Sequence, residues 1–158
     1  MIFVTTGSQK FQFNRLLQMV DSLNTEEEIF AQTGYSDYKP KNYKFKDFLS
    51  RDEYKEFIAK SDVVITHAGT GAVIGAVKQG KKVIAVPRLS KYGEHVDDHQ
   101  VELVKQFSDL DLMEVCLDDD LAVSLQKVMQ KTYKSYQSNT DVILSDLDSY
   151  ICKEFNVK

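Results

Sequence analysis

Three short stretches of this chain carry residue types suited to a charged, hydroxyl-rich ligand. The first is Thr5-Thr6-Gly7-Ser8-Gln9. Glycine permits a tight turn there, and Ser8 with the N–H groups after it would sit where a helix dipole favours an anion. Ser8 as an ordinary helix N-cap is the plainer alternative. The second is Thr66-His67-Ala68-Gly69-Thr70-Gly71. Two glycines let a backbone approach closely and Thr70 adds a hydroxyl. A diphosphate here would gain roughly 0.3–2 kcal/mol from a helix terminus, beside several N–H bonds. The third is Tyr92-Gly93-Glu94-His95-Val96-Asp97-Asp98-His99-Gln100, in which Asp98, His99 and Gln100 suit vicinal hydroxyls.

Each stretch has competing readings. Gly69-x-Gly71-x-x-x-Gly75 is one residue off a dinucleotide fingerprint and follows an internal strand rather than the first. It fits a generic anion-binding turn better than a nicotinamide site. His95 and His99 stand one helical turn apart, as metal ligands can, but Val96 occupies the place where a zinc-protease helix needs Glu. Capping of a helix by Asp97 or Asp98 explains the same residues more simply. His67 is the one candidate general base, and a histidine at a buried strand end is more often structural. No carboxylate is identifiable as a base by motif.

These stretches need elements to hold them, and apolar runs alternate with helical patterns from the start. Ile2 to Thr6 reads as a buried strand, followed by helical spacing from Phe11 to Leu23. Glu28 to Thr33 is a second strand, 35–44 a loop containing Pro40, and a short strand lies near Phe45. Arg51 to Lys60 suits a helix with Ser50 as N-cap. Asp62 to His67 is the strongest strand, running into the glycine turn and an apolar helix, Ala72 to Lys78, stopped at Gly80. A strand at Lys82 to Val86, a helix from Val96 to Phe107, a strand at Leu112 to Leu117 and a helix from Asp119 to about Gln130 complete the series. Such alternation predicts an α/β fold, a single Rossmann-like domain with a mostly parallel sheet covered by helices on both faces. Ligands of open sheets bind beyond the carboxyl ends of the strands, where all three stretches fall.

Residues 1–130 form the predicted domain, 131–140 a polar linker, and 141–158 a C-terminal amphipathic helix with Ile143, Leu147, Ile151 and Phe155 on one stripe. That stripe can dock on its own domain or on a partner.

Composition narrows the classes. The chain has 158 residues, 42% apolar and 28% charged, enough for one domain with a core. A net charge of −4 provides no basic field for nucleic acid, so a bound anion must be held by local geometry. Cys116 and Cys152 lack disulfide or zinc spacing, which suits a reduced, cytoplasmic setting. No basic segment followed by a long apolar stretch opens the chain, so no secretory signal is expected. The longest apolar run, Ala72 to Val77, is far short of the ~20 residues that cross a bilayer.

The order His67-Ala-Gly-Thr-Gly71, Gly80 to Pro87-Arg88, then Asp98-His-Gln100 resembles the C-terminal domain of family 28 glycosyltransferases over about residues 1–130. The opening Met-Ile-Phe-Val-Thr-Thr-Gly-Ser-Gln-Lys-Phe is similar to stand-alone versions of that domain. Those versions serve in dolichol-linked N-acetylglucosamine transfer and in bacterial capsule or exopolysaccharide assembly. The resemblance implies half of a GT-B fold that binds a UDP-sugar. Gly7, Ser8, Gly69, Thr70 and Gly71 would approach the diphosphate. The loop near Phe45 to Phe48 would hold the uracil, largely through backbone contacts, and Asp98, His99 and Gln100 would contact the sugar. An acidic residue that often bonds the ribose is replaced here by Gly75.

One such domain is half an enzyme of this family. The resemblance therefore implies a second, membrane-anchored subunit carrying the lipid-linked acceptor, with this chain peripheral at the inner face of the membrane. The expected activity is hexosyl transfer from a UDP-sugar, with no metal or other cofactor. The alternatives are a non-catalytic enhancer of a separate transferase, an NAD(P)-binding oxidoreductase, and an interaction module built on the C-terminal helix. If the two glycine bends were filled by side chains, or turned from a shared hollow, the transferase expectation would fail.

Overall fold

The computed structural model of the chain describes residues 1–117 and 120–155. Six strands are described: β1 (Ile2–Thr5), β2 (Ile29–Gln32), β3 (Lys44–Lys46), β4 (Val63–His67), β5 (Lys82–Val86) and β6 (Glu114–Val115). They form one sheet in the order β3-β2-β1-β4-β5-β6, and every neighbouring pair is parallel. The expected α/β class is therefore borne out. Strand order reverses between β1 and β4, where Thr5 lies beside Thr66. A crevice at that reversal is the usual place for a ligand in such sheets.

The strands are buried on both faces, which explains their unbroken apolar runs. Ile2 and Val4 point to one layer, with Leu16, Leu17, Val20, Leu121 and Val128. Phe3 points to the other, with Ile58, Val64, Val73, Ala76 and Val104. The first layer is built by α1 (Asn14–Asp21) and α5 (Leu121–Gln130), the second by α2 (Arg51–Lys60), α3 (Thr70–Val77) and α4 (His99–Asp109). Ser50 caps α2 in a reciprocal box with Glu53. Gly80, at φ +69°, ends the turn after α3.

Several boundaries differ from the sequence expectation. Helix α1 starts at Asn14 rather than Phe11, because the Phe13 amide donates to Ser36 Oγ (2.9 Å) and the Asn14 amide to Gln12 Oε1 (2.8 Å). Ser8 is thus six residues from that helix, so the first turn is neither an N-cap nor a helix-dipole site. Helix α4 starts at His99 rather than Val96; Asp97 Oδ1 accepts the His99 amide (3.1 Å). Strand β6 is only two residues, although the Cys116 amide still reaches the Ala85 carbonyl (3.0 Å). The expected start of the next helix at Asp119 lies outside the described residues. Asp120 is its cap, accepting from the Val123 amide (3.0 Å).

The polar segment 131–139 is tied down at two tyrosines. Tyr133 packs on the first layer and donates to Glu114 Oε2 (2.8 Å), while Tyr136 packs on the second, with Lys78 over its ring. A sixth helix, α6 (Thr140–Phe155), follows, with Ile143, Leu147 and Ile151 exposed together with Val142, Leu144 and Tyr150. The Phe155 side chain and residues 156–158 lie outside the description. Among the described residues no helix is long and apolar enough to cross a membrane.

Candidate functional site

The two glycine turns leave the carboxyl ends of adjacent strands β1 and β4, and the ring of His67 lies between them. A Cβ at Gly7 would stand 2.5 Å from His67 Cε1, and one at Gly69 would collide with His67 Nε2. Gly7 also needs φ +79°, a left-handed conformation, with its amide donating to Thr5 Oγ1 (3.2 Å). The His67 ring therefore packs against both turns and fills the space between the two glycines, so the condition set for failure is met there and only the outer side of each turn, its rim, stays open. No group fits between the two glycines beside the ring, and the exposed parts of the turns are Ser8, Thr70 and Gly71.

That rim is open. Gly69 is the N-cap of α3 and provides no side-chain cap, so the helix starts with uncapped amides. Thr70 and Gly71 are exposed, and a Cβ at Gly71 would meet nothing within 4 Å. Across the crevice Ser8, Gln9 and Lys10 are exposed and make no hydrogen bond among the described residues. Backbone donors on both sides, one set at a helix N-terminus, suit an anion.

His67 is held neutral. Burial lowers its pKa to about 4, and the positive charge of Arg88 works in the same direction. The Thr66 hydroxyl lies 3.3 Å from Nδ1. The ring packs against both glycine turns.

Sequence reasoning missed the hub of the rim, although it quoted Pro87-Arg88 in a motif. Arg88, 1% exposed, donates from Nη1 to the carbonyls of Gln12 (3.0 Å), Glu94 (3.0 Å) and Phe11 (3.3 Å), and from Nη2 to that of Thr6 (2.5 Å). Burial lowers its pKa to about 10, which leaves it charged at neutral pH. The fully buried Glu94 accepts from Arg15 Nε (3.0 Å) and Nη2 (2.9 Å) and from the Leu89 amide (2.9 Å). Gln32 was missed too: its Oε1 accepts the Leu49 amide (3.2 Å), and its Nε2 reaches the Gly7 carbonyl (3.4 Å). The one available signal was an arginine two residues after an apolar strand with a glutamate six residues on.

Two hollows lie elsewhere. A cleft of about 760 Å³ opens at the amino ends of β1, β4 and β5, and a groove of about 810 Å³ runs beside Tyr136 and Ile143. Neither is lined by the glycine turns. The unbonded amides at the turns suit an anion, and they stand at the carboxyl ends of adjacent strands, where open sheets bind ligands.

Residues 1–150 match the glycosyltransferase family 28 C-terminal domain. The chain belongs to that family. It is 28% identical over 116 residues to UDP-N-acetylglucosamine transferase subunit ALG13 of Mus musculus, a match spanning 66% of this chain and 10% of that protein. The same subunit of Homo sapiens is 30% identical over 117 residues, again 66% and 10%. That of Debaryomyces hansenii is 34% identical over 71 residues, 45% and 34%. The chain thus spans a small part of the relatives it matches. Among solved structures, the glycotransferase of kitacinnamycin superimposes with a TM-score of 0.59 at 14% identity, over 82% of this chain and 35% of that one. MurG of Acinetobacter baumannii gives 0.54 at 21%, over 82% and 41%. These likenesses establish a shared fold.

The remaining candidates of this family 28 domain lie on other elements. Phe45 sits in edge strand β3, half-buried against the first core layer, with Lys39 over its ring. Phe48 is exposed and meets Tyr35 edge-on, ring centroids 5.1 Å apart. Gln100 is 4% exposed and its Oε1 accepts the Arg88 amide (3.1 Å), so that oxygen is committed to the fold. Asp98 is exposed and binds the Ser90 amide (2.7 Å) rather than capping α4; that bond holds its carboxyl below the usual carboxylate range. His99 is exposed, 3.9 Å from Glu102, while His95 Nδ1 lies 3.0 Å from Asp97. Gly75 faces open space.

Proposed function

We propose that the chain is the catalytic, donor-binding subunit of a two-component inverting glycosyltransferase. It binds a UDP-sugar and passes a hexose or N-acetylhexosamine to a lipid-linked acceptor in capsule, exopolysaccharide or related glycan assembly. The acceptor sits on a membrane-anchored partner subunit, which holds this chain at the cytoplasmic face. Support for a subunit role comes from the relatives, each itself named as a transferase subunit.

The observation that carries the reading is the pair of turns at Gly7-Ser8 and Gly69-Thr70-Gly71, at the ends of adjacent strands, where the amides of Ser8, Thr70 and Gly71 are unbonded among the described residues. The diphosphate lies on those amides, above His67. The acceptor oxygen attacks the anomeric carbon from the face opposite the diphosphate. As that bond forms, the bond from carbon to diphosphate oxygen breaks and its electron pair stays on the departing UDP. The acceptor proton goes to a base on the partner. Amides fixed before the reaction stabilise the departing charge without a metal. The uracil rests near Phe48, and Asp98 and His99 reach the sugar.

Donor consumption tests this. The purified chain alone should turn over UDP-glucose, UDP-galactose and UDP-N-acetylglucosamine poorly, and one of them should be consumed rapidly once the membrane partner is added. Full activity of the partner without this chain would point instead to an enhancer.

A further inference from the structure

We infer that Arg88 is the positioning residue of the diphosphate loop, a role that rests on the donor-binding reading above. Its guanidinium binds the carbonyls of Thr6, Phe11 and Gln12, which bracket residues 7–10 from both sides. Between those anchors Ser8, Gln9 and Lys10 are exposed and unbonded among the described residues. One buried side chain thus fixes the ends of the loop and leaves its middle free for a ligand.

The same side chain ties this loop to the segment after β5. Its Nη1 holds the Glu94 carbonyl, and its own amide is held by Gln100. Diphosphate loop and sugar segment are therefore set in register through a single residue. A planar fork is needed, because the carbonyls lie on separate segments and a lysine offers one point of charge. The buried Nε has no partner among the described residues, and the guanidinium carbon lies 4.6 Å from the centroid of Phe13. Making every bond available to this arginine is not what determines its place; clamping the loop is. Glu94 balances the buried charge and links it to Arg15, whose Nη2 also reaches the Pro87 carbonyl (2.8 Å).

Arg88→Lys tests the role in two independent readouts. Hydrogen exchange at the Gly7 and Phe13 amides, bonded to Thr5 Oγ1 and Ser36 Oγ at the two ends of the loop, should quicken at least tenfold relative to the core strands. In calorimetric titration UDP should weaken at least tenfold, while uridine, which lacks the diphosphate, should stay within twofold. Unchanged exchange in the loop, or equal weakening for UDP and uridine, overturns the inference. If Arg88→Lys does not fold, Glu94→Gln decides: UDP weakened threefold or more with uridine unaffected supports it, and no difference overturns it. Altered loop exchange in a chain whose unmodified form binds no UDP would instead remove the donor reading and leave the clamp standing.

Discussion

The imidazole of His67 lies so close to Gly69 that no β-carbon fits between them. Gly69 has φ −73° and ψ 127°, a conformation any residue adopts. Its identity is therefore set by the ring beside it and not by its backbone.

Gly69→Ala should then destabilise the chain through collision with the ring, by about 1–3 kcal/mol for overpacking. His67→Ala also destabilises, through the space it leaves. In the double variant the alanine at 69 fills part of that space, so the two losses should not add. Urea denaturation of the four proteins in a cycle checks this; a coupling below about 0.5 kcal/mol would show that the contact is unimportant.

Neutral, buried His67 also sets a pH dependence. Its pKa falls from 6.5 when unfolded to about 4 when folded, so between those values the unfolded chain binds the extra proton. Stability is whole above about pH 6.5 and is lost as pH falls towards 4, by up to about 3 kcal/mol. His67→Asn should flatten the curve in that window. Denaturant midpoints between pH 7 and 4 in both proteins measure it, and parallel curves would contradict a neutral buried ring.

Gly75 sits inside helix α3 with nothing near its missing side chain. Gly75→Ala should raise stability by about 0.5–1 kcal/mol, the ordinary helical difference between the two residues. Gly75→Glu, which restores the acidic type implied by the family resemblance, should tighten UDP binding. Thermal denaturation and titration check the two effects separately.

Much of the fold was legible because each strand is a short apolar run and each helix repeats on one face. Residues such as Ile2-Phe3-Val4 and Val63-Val64-Ile65 can only be buried on both sides. Helix starts were harder. Phe11 and Phe13 have helical spacing, but the Phe13 amide is taken by Ser36, 23 residues away, which no local pattern reveals. Segment 131–140 looks like a free linker from its polar residues, yet two tyrosines bind it to both layers.

The candidate site was legible in its turns and not in its wiring. Glycines at strand ends announce close approach, but the sequence does not say of what, and here the approaching group is His67. Arg88 reaches Thr6 across 82 residues, a contact fixed only when β1 and β5 share a sheet. Gln100 reads as a sugar ligand by motif, and the sequence does not show that its buried oxygen accepts the Arg88 amide.

Gly71→Asp gives the most direct test of a diphosphate on the rim amides. A Cβ there meets nothing, and a carboxylate in the first turn of α3 should leave stability unchanged or raise it by about 0.3–1 kcal/mol. The same charge repels a bound diphosphate, so UDP affinity by calorimetry should fall at least tenfold while the thermal midpoint holds or rises. Equal UDP affinity in both proteins, or no binding by the unmodified chain at millimolar UDP, would contradict the account.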